Sequence, residues 1–345
     1  MTRLHLLDSM PPDLLAMSAP ELATRLPGPT LVHLPGRHAR PLFVSVLLHG
    51  NEDTGWDAVR EVLQRFQGRE LPRAMSLFIG NIHAAAAGVR TLPGQNDFNR
   101  VWPGTRVPEA AEAAIMADVV AIMRQLQPFA SIDIHNNTGL NPHYACLNRL
   151  DNRFFHLARL FSRIAVYFSE PVGVQSMAMA ELCPAVTVEC GKVGSGSGVG
   201  HAAEFVEACL HLDHFPEHAL ATGELELLQT VAILKVPEGL SFSFDGSAAD
   251  IRFRADIDTL NFTEAAPGTL LGRVGTPGSR LSVVPGVPGE SLPEDCVVVE
   301  TGSIRLGQRL VPAMLTRDPQ AVRLDCLCYL MRRIDDQGNP VQPRP

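Results

Sequence analysis

The stretch that decides the fold is LFVSVLLHGNEDTG, residues 42–55. Its first part, residues 42–49, is almost entirely apolar, which is typical of a strand covered on both faces. A polar turn containing Gly50 follows it, and a helix is predicted over residues 55–66. A buried strand that leads into a helix is the repeating unit of an α/β domain, in which ligand sites lie at the carboxyl ends of the strands.

The same alternation of strands and helices continues to about residue 235. Apolar runs at 75–80, 129–135 and 185–189 predict further strands, and apolar spacing predicts helices over 108–127, 152–165 and 201–212. The glycine-rich segment 191–200 is predicted to be a mobile loop beside Glu189. Beyond residue 236, frequent Gly and Pro turns and short apolar runs predict a smaller β-rich domain. The sequence therefore predicts an α/β domain with a largely parallel sheet over residues 1–235 and a β-rich domain over residues 236–345.

Composition excludes several classes of protein. The chain has 345 residues, of which 46% are apolar, so it is long enough to bury a sizeable core. Its net charge of −8 gives no support to nucleic-acid binding, and no apolar run approaches the roughly 20 residues that span a bilayer. The N-terminus lacks the features of a secretory signal, and the seven scattered cysteines are typical of reduced thiols. We expect a cytoplasmic protein without nucleic-acid or membrane partners; whether it forms a homo-oligomer is left open.

Two histidines and a glutamate at strand ends are candidate metal ligands. His49 and Glu52 follow the first strong strand, and Gly50 between them eases the turn that lets both side chains converge on one ion. His135 ends the strand ASIDIH, where strand periodicity places Asp133 on the same face, within reach of a hydrogen bond to a ligand imidazole. Zinc binds nitrogen and oxygen ligands and keeps one position open at catalytic sites. The alternative for His135 is a hydrogen-bonded histidine in a loop.

A glutamate and a polar loop supply candidate catalytic groups. Glu189 ends the strand AVTVE, where a carboxylate beside a metal-activated water can take a proton and pass it on to a leaving nitrogen. The loop VRTLPGQNDFNRVWPG carries Arg90, Asn99 and Arg100, which can bind a carboxylate or stabilise an oxyanion. The alternatives are an exposed strand-end glutamate and a surface ion pair between Asp97 and Arg100.

The ordered set of motifs resembles the zinc carboxypeptidase-like superfamily, particularly its succinylglutamate desuccinylase and aspartoacylase branch. The matching stretches are HGNE at 49–52, Arg90 after NIHAAAAG, DFNRVWPG at 97–104, DIHNNTG at 133–139 and VECG at 188–191. The resemblance implies a mixed sheet packed between helices, followed by a smaller β domain. It implies one zinc ion bound by His49, Glu52 and His135, with Glu189 as general base and then acid. It also implies that Arg90 polarises the scissile carbonyl and that Asn99 and Arg100 clamp the substrate carboxylate.

The expected activity is hydrolysis of the amide bond of an N-acyl amino acid, with a small carboxylate molecule as substrate. One alternative is a metallocarboxypeptidase that trims a peptide or a cell-wall fragment. Another is a binding protein that keeps the zinc site and senses a carboxylate without turnover. Between residues 141 and 184 no arginine matches the aspartoacylase group that binds a second acidic side chain, so the acyl and amino-acid halves of the substrate are not predicted.

Overall fold

The structure, a computed structural model, describes residues 3–287, 289 and 295–341. It divides into two compact units. The first comprises Met1–Asn136, His143–Ala165 and Pro171–Glu226, and the second comprises Asn137–Pro142, Val166–Glu170 and Leu227–Pro345. The composition change at residue 235 lies inside the second unit, and the assignment of two domains stays a prediction.

The first unit is built on a mixed, largely parallel sheet. Its strands are β1 (His5–Leu7), β2 (Thr30–Leu34), β3 (Gly36–Val46), β4 (Leu71–Ile79), β5 (Ala130–Asn137), β6 (Tyr144–Leu147) and β8 (Ala185–Lys192), and the short strand β7 (Ile164–Tyr167) lies across the division between the units. The strand order is β1-β2-β4-β3-β5-β8-β6. Strand β3 pairs in parallel with β4 and β5, whereas β2–β4 and β6–β8 are antiparallel. The carboxyl ends of β3 and β5 therefore lie side by side.

Helices cover both faces of this sheet. They are α1 (Thr54–Arg65), α2 (Ile82–Ala87), α3 (Ala111–Leu126), α4 (Asn152–Phe161), α5 (Gln175–Ala180) and α6 (Gly196–His211). Phe43 on β3 belongs to a buried cluster with residues of α3 and α5. Val46 lies three residues later and so points to the opposite face, where it packs close to Gly55 of α1. The predicted fold class, a mixed sheet between helices, is confirmed.

Several boundaries differ from the sequence prediction: β3 ends at Val46, three residues before His49, while β5 and β8 continue past His135 and Glu189. Helix α3 begins at Ala111 rather than at residue 108. Helix α4 ends at Phe161, because Ser162 adopts an extended conformation and its hydroxyl accepts the backbone N–H of Ile164, which starts β7 instead of continuing the helix. The prediction of a mobile loop over 191–200 was wrong for its second half, since α6 begins at Gly196. Gly198 permits a close approach there, because a Cβ would lie 2.4 Å from the oxygen of Cys190.

The second unit is rich in β structure, as predicted. Its strands are β9 (Glu226–Lys235), β10 (Phe242–Ser243), β11 (Ile251–Phe253), β12 (Leu270–Val274), β13 (Ser282–Pro285), β14 (Val297–Glu300), β15 (Ser303–Leu306), β16 (Val311–Ala313) and β17 (Cys328–Ile334). Its described residues also form a short 3-10 helix, Ile257–Leu260, and a short α-helix, α7 (Pro319–Leu324). Strand β17 pairs with β9 and β16, while a second sheet has the order β10-β11-β12-β15-β14. Asn261 binds the backbone N–H and oxygen of Leu315 at 2.8 Å each. Over the residues that the structure describes, no helix is long and apolar enough to cross a bilayer.

Candidate active site

The turn after β3 is shaped by backbone conformation and close packing. Leu47 is fully buried and has a φ of 57°, a left-handed conformation that is uncommon for a bulky residue. Gly50 packs against α2 so closely that a Cβ would lie 2.2 Å from the backbone of Ala84 and Ala85. Its N–H donates to the oxygen of Arg90 at 3.1 Å. The packing and the hydrogen bond of Gly50 therefore fix the direction in which the turn leaves the sheet. The same contacts fix the positions of His49 and Glu52, which lie on this turn.

His49, Glu52 and His135 converge in a buried triangle, as the sequence predicted. The Nδ1 atoms of the two imidazoles are 3.1 Å apart. Glu52 Oε1 lies 2.9 Å from His49 Nδ1, and Glu52 Oε2 lies 2.8 Å from His135 Nδ1. Ligand bonds to zinc of about 2.0–2.2 Å place tetrahedral donor atoms about 3.3 Å apart. These three side chains can therefore hold one metal ion, and among the described residues they are the group of donors close enough together to do so.

The outer ring nitrogen of each histidine contacts an aspartate. Asp97 Oδ1 lies 3.1 Å from His49 Nε2, and Asp133 Oδ2 lies 2.8 Å from His135 Nε2. An aspartate that accepts the Nε2 proton leaves Nδ1 with a lone pair for a metal, which is the usual second-sphere arrangement at metal sites. The Asp133 contact was predicted from strand periodicity. The Asp97 contact was missed, because nothing in the sequence shows that the loop 89–104 folds back over the end of β3.

The acids and imidazoles of this cluster shift one another's pKa values. Burial disfavours charge on Glu52, yet the imidazoles of His49 and His135 outweigh it and hold the pKa of Glu52 well below its usual value. Burial also opposes a charge on His135, but the Asp133 and Glu52 carboxylates raise its pKa well above the usual value. The pKa of Asp97 is likewise lowered, against burial, by His49 and Arg90. Carboxylates that stay ionised while buried need a cation beside them.

The two predicted arginines have different surroundings. Arg90 is three-quarters buried and donates through Nε and Nη2 to Asp97 Oδ2, at 3.1 and 2.9 Å. Its Nη1 lies 3.8 Å from Glu52 Oε1, so the guanidinium borders the metal ligands. Arg100 is half-buried, and its Nη1 donates to the oxygen of Asn99 at 2.8 Å. Arg90 therefore belongs to the cluster around Glu52. Arg100 lies outside that cluster and binds the backbone oxygen of its neighbour Asn99.

Asn99 is buried and lies behind His135. Its Oδ1 accepts the backbone N–H of Gln175 at 2.9 Å, and its Nδ2 lies 3.3 Å from Asp133 Oδ2 and 3.1 Å from His135 Nε2. Only 6% of its surface is exposed. The structure therefore places this predicted substrate-binding residue in contact with the side chains that support a metal ligand.

Glu189 lies on β8, the strand next to β5. The two strands are held together near their carboxyl ends by Asn136, whose Nδ2 donates to the oxygen of Gly191 at 3.0 Å. Glu189 is half-buried and stands opposite Tyr144 of β6. Burial, followed by the carboxylates of Glu189 and Glu52, raises the pKa of the Cys190 thiol, so both acids act on the same neighbour. Glu189 therefore lies near the carboxyl end of the strand next to the one that carries His135.

Several solved structures resemble the whole chain. The succinylglutamate desuccinylase from Vibrio cholerae is 15% identical, with 92% of this chain and 95% of that chain covered and a TM-score of 0.59. Murine aminoacylase 3 is 15% identical, with 86% and 95% covered and a TM-score of 0.54. The product-bound ectoine utilization protein from Ruegeria pomeroyi is 17% identical, with 89% and 88% covered and a TM-score of 0.55. At these identities the likeness shows a shared fold.

The chain also matches a family model over the part that contains the metal-ligand triangle. No curated protein matches the chain at a significant level. Residues 39–210 match the succinylglutamate desuccinylase/aspartoacylase catalytic domain. This span contains His49, Glu52 and His135, together with Glu189 on the neighbouring strand. Through this domain the chain belongs to the succinylglutamate desuccinylase/aspartoacylase family.

Proposed function

We propose that the protein is a zinc-dependent hydrolase that cleaves the amide bond of an N-acyl amino acid or a related small carboxylate. The observation that carries the proposal is the buried triangle of two Nδ1 atoms and one carboxylate, with contacts of 2.8–3.1 Å. Two nitrogen donors and one oxygen donor, with room for a further ligand, are typical of catalytic zinc sites. The family match and the fold shared with a desuccinylase and an aminoacylase support the same reaction class.

Glu189 is the proposed base. Zinc held by the triangle would act as a Lewis acid on the amide carbonyl and lower the pKa of a water molecule. Glu189, on the strand beside the ligand His135, accepts a proton from that water and later donates it to the leaving nitrogen. Its half-buried position on β8, the strand next to the one that carries His135, supports this role.

The arginines would bind and polarise the substrate. Arg90 holds its Nη1 3.8 Å from Oε1 of the ligand Glu52 while Asp97 fixes the other side of the guanidinium, so the guanidinium borders the place where we propose the substrate carbonyl is polarised. Arg100 would bind the substrate carboxylate through its guanidinium. Together they orient the amide so that its carbonyl faces the ligand triangle.

The test is hydrolysis of a panel of N-acetyl and N-succinyl amino acids by the zinc-loaded protein. Glu189→Gln should lower kcat by about 10²–10⁴-fold, because the amide keeps the shape of the side chain but cannot accept the proton. Zinc content should stay at one ion per chain in this variant. Glu204→Gln, which changes an exposed glutamate on α6, is the matched control and should keep full activity.

The same assay separates the alternatives. Dipeptides and cell-wall fragments in the panel would identify a peptidase if they were cleaved in preference to acylated amino acids. An unmodified protein that binds zinc and carboxylates but hydrolyses nothing would favour a sensor and contradict the proposal. The free cysteines of the described chain support the cytoplasmic location that we propose with this activity.

A further inference from the structure

The side-chain amide of Asn99 has a defined orientation. A backbone N–H can only donate, so the atom of Asn99 that contacts the N–H of Gln175 at 2.9 Å must be its oxygen. The Nδ2 group therefore faces the opposite way, where Asp133 Oδ2 lies at 3.3 Å and His135 Nε2 at 3.1 Å, and of these two the carboxylate oxygen is the acceptor whichever tautomer His135 adopts. Gln175 is itself fixed, because it is fully buried and its Nε2 donates to Ser131 Oγ on β5 at 2.8 Å.

This orientation determines what the Asp133 carboxylate can do. Asp133 is fully buried, and its Oδ1 accepts the hydroxyl of Ser45 at 2.6 Å. Its Oδ2 accepts from Asn99 and lies 2.8 Å from His135 Nε2. In the tautomer that binds a metal through Nδ1, the Nε2 of His135 carries the proton and donates it to this oxygen. Asn99 and Ser45 thus each bind one oxygen of the carboxylate and hold it within 2.8 Å of His135 Nε2.

We propose that Asn99, oriented by the backbone N–H of Gln175, is a positioning residue that fixes Asp133 and, through it, the metal-ligand nitrogen of His135. The inference rests on the proposed zinc site and departs from the role implied by resemblance, in which Asn99 grips the substrate carboxylate. Both ends of the amide are engaged inside the protein, and the residue is 6% exposed. Arg100 then provides the carboxylate contact without Asn99.

Zinc affinity distinguishes the two roles. A residue that orients a ligand changes metal affinity, and loss of such a partner typically costs 10–100-fold. A residue that binds only the substrate changes KM and leaves metal affinity unaltered. The measurement is the dissociation constant of zinc itself, determined on the full chain by competition with a chromophoric chelator. It needs no substrate, so the inference can be tested even if hydrolysis is never found.

Asn99→Ala should weaken zinc binding by about 10–100-fold. At saturating zinc, its KM for N-acyl amino acids should stay within about twofold of the unmodified value. Asn96→Ala is the matched control: it removes an exposed asparagine from the same loop, whose side chain contacts Glu112, and zinc affinity should not change. Thermal unfolding of each variant verifies that it is folded.

A second pair of variants tests the hydrogen bond from the backbone N–H of Gln175 to Asn99 Oδ1. Gln175 is the first residue of α5, where proline is well tolerated, and Val174 before it has φ −93° and ψ 155°, which a following proline favours. Gln175→Ala removes the contact with Ser131 and keeps the N–H, whereas Gln175→Pro removes both. The proline variant should bind zinc at least about threefold more weakly than the alanine variant, since Asn99 is free to rotate only there.

Two results would overturn the proposal. Unchanged zinc affinity in folded Asn99→Ala, with a KM raised tenfold or more, would assign Asn99 to the substrate. Equal zinc affinity in Gln175→Ala and Gln175→Pro would show that the N–H does not orient the amide, and this pair decides the question if Asn99→Ala does not fold. Loss of hydrolysis toward the entire panel, with the predicted changes in zinc affinity, would instead contradict the proposed reaction and leave the positioning role intact.

Discussion

At the scale of single residues, the site depends on aspartates that bind the far side of each ligand imidazole. Asp97 and Asp133 contact the Nε2 atoms of His49 and His135 at 3.1 and 2.8 Å. Each contact selects the tautomer in which Nδ1 is free to bind a metal. Asp97 also pairs with Arg90, so that one carboxylate orients both a metal ligand and the guanidinium proposed to polarise the substrate.

Leu47, two residues before the first candidate ligand His49, has an unfavourable backbone conformation. A left-handed φ costs an L-residue about 1–2 kcal/mol, which glycine avoids. We therefore expect the Leu47→Gly variant to have a larger free energy of unfolding than the Leu47→Ala variant, although both lose the buried side chain. Leu63 in α1 is the matched control position. There the Leu63→Gly variant should be about 1 kcal/mol less stable than the Leu63→Ala variant. Urea denaturation measures both pairs, and the same sign at the two positions would contradict the assignment of strain to Leu47.

At the scale of secondary structure, the close contact between the ligand turn and α2 determines where His49 and Glu52 point. Strand β3 ends at Val46, and α2 begins at Ile82, after the end of β4. The backbone of α2 lies so near Gly50 that the position has no room for a side chain. The helix thus packs against the turn and restrains it. Without this contact, the side chains of the turn would be free to move.

Gly50→Ala tests this contact. The added Cβ would meet the backbone at 2.2 Å, so we expect the free energy of unfolding to fall by more than about 3 kcal/mol and zinc binding to weaken. Gly94→Ala is the control, since Gly94 has a φ of 75° but no atom within 4 Å of the added Cβ, and it should cost only about 1–2 kcal/mol. A loss in Gly50→Ala no larger than the loss in Gly94→Ala would contradict the contact with α2 as the reason that this position has no side chain.

At the scale of the whole molecule, metal binding should be linked to stability. The ligands come from β5 and from the turn after β3, so an unfolded chain has no preformed site. Zinc at 100 times its dissociation constant should then add about 2.7 kcal/mol to the free energy of unfolding. Thermal unfolding should shift upward with zinc and return after chelation. His49→Ala should lose this shift, and a shift of the same size in that variant would place the ion elsewhere.

The direction in which the stabilisation by zinc changes with pH follows from the raised pKa of His135. Its raised pKa in the metal-free protein means that a proton competes with zinc up to higher pH than at an ordinary histidine. The stabilisation by zinc should therefore decrease as the pH falls through the neutral range. Greater zinc stabilisation at lower pH, measured in the same unfolding experiment, would contradict this assignment.

The sequence by itself determined the fold class and the candidate metal ligands. Strand periodicity and strand-end polar residues placed His49, Glu52 and His135 at one edge of a sheet, and the structure brings them within 3.1 Å of one another. This worked because parallel strands bring their carboxyl ends to a common edge, whatever the length of chain between them. Local patterns were less informative at helix ends, where the Ser162 hydroxyl donates to the oxygen of His143 and Gly198 packs against the oxygen of Cys190.

Only the tertiary structure decided what surrounds the ligands. The contacts of Asp97 with His49 and of Asn99 with Gln175 join residues 48 and 76 positions apart through an irregular loop. Neither composition nor periodicity encodes the path of such a loop, because no repeating backbone geometry fixes the direction of its side chains. The same reason explains why a sequence motif identified Asn99 as a polar group of the site, whereas its direction, away from bulk solvent and toward Asp133, required the folded chain.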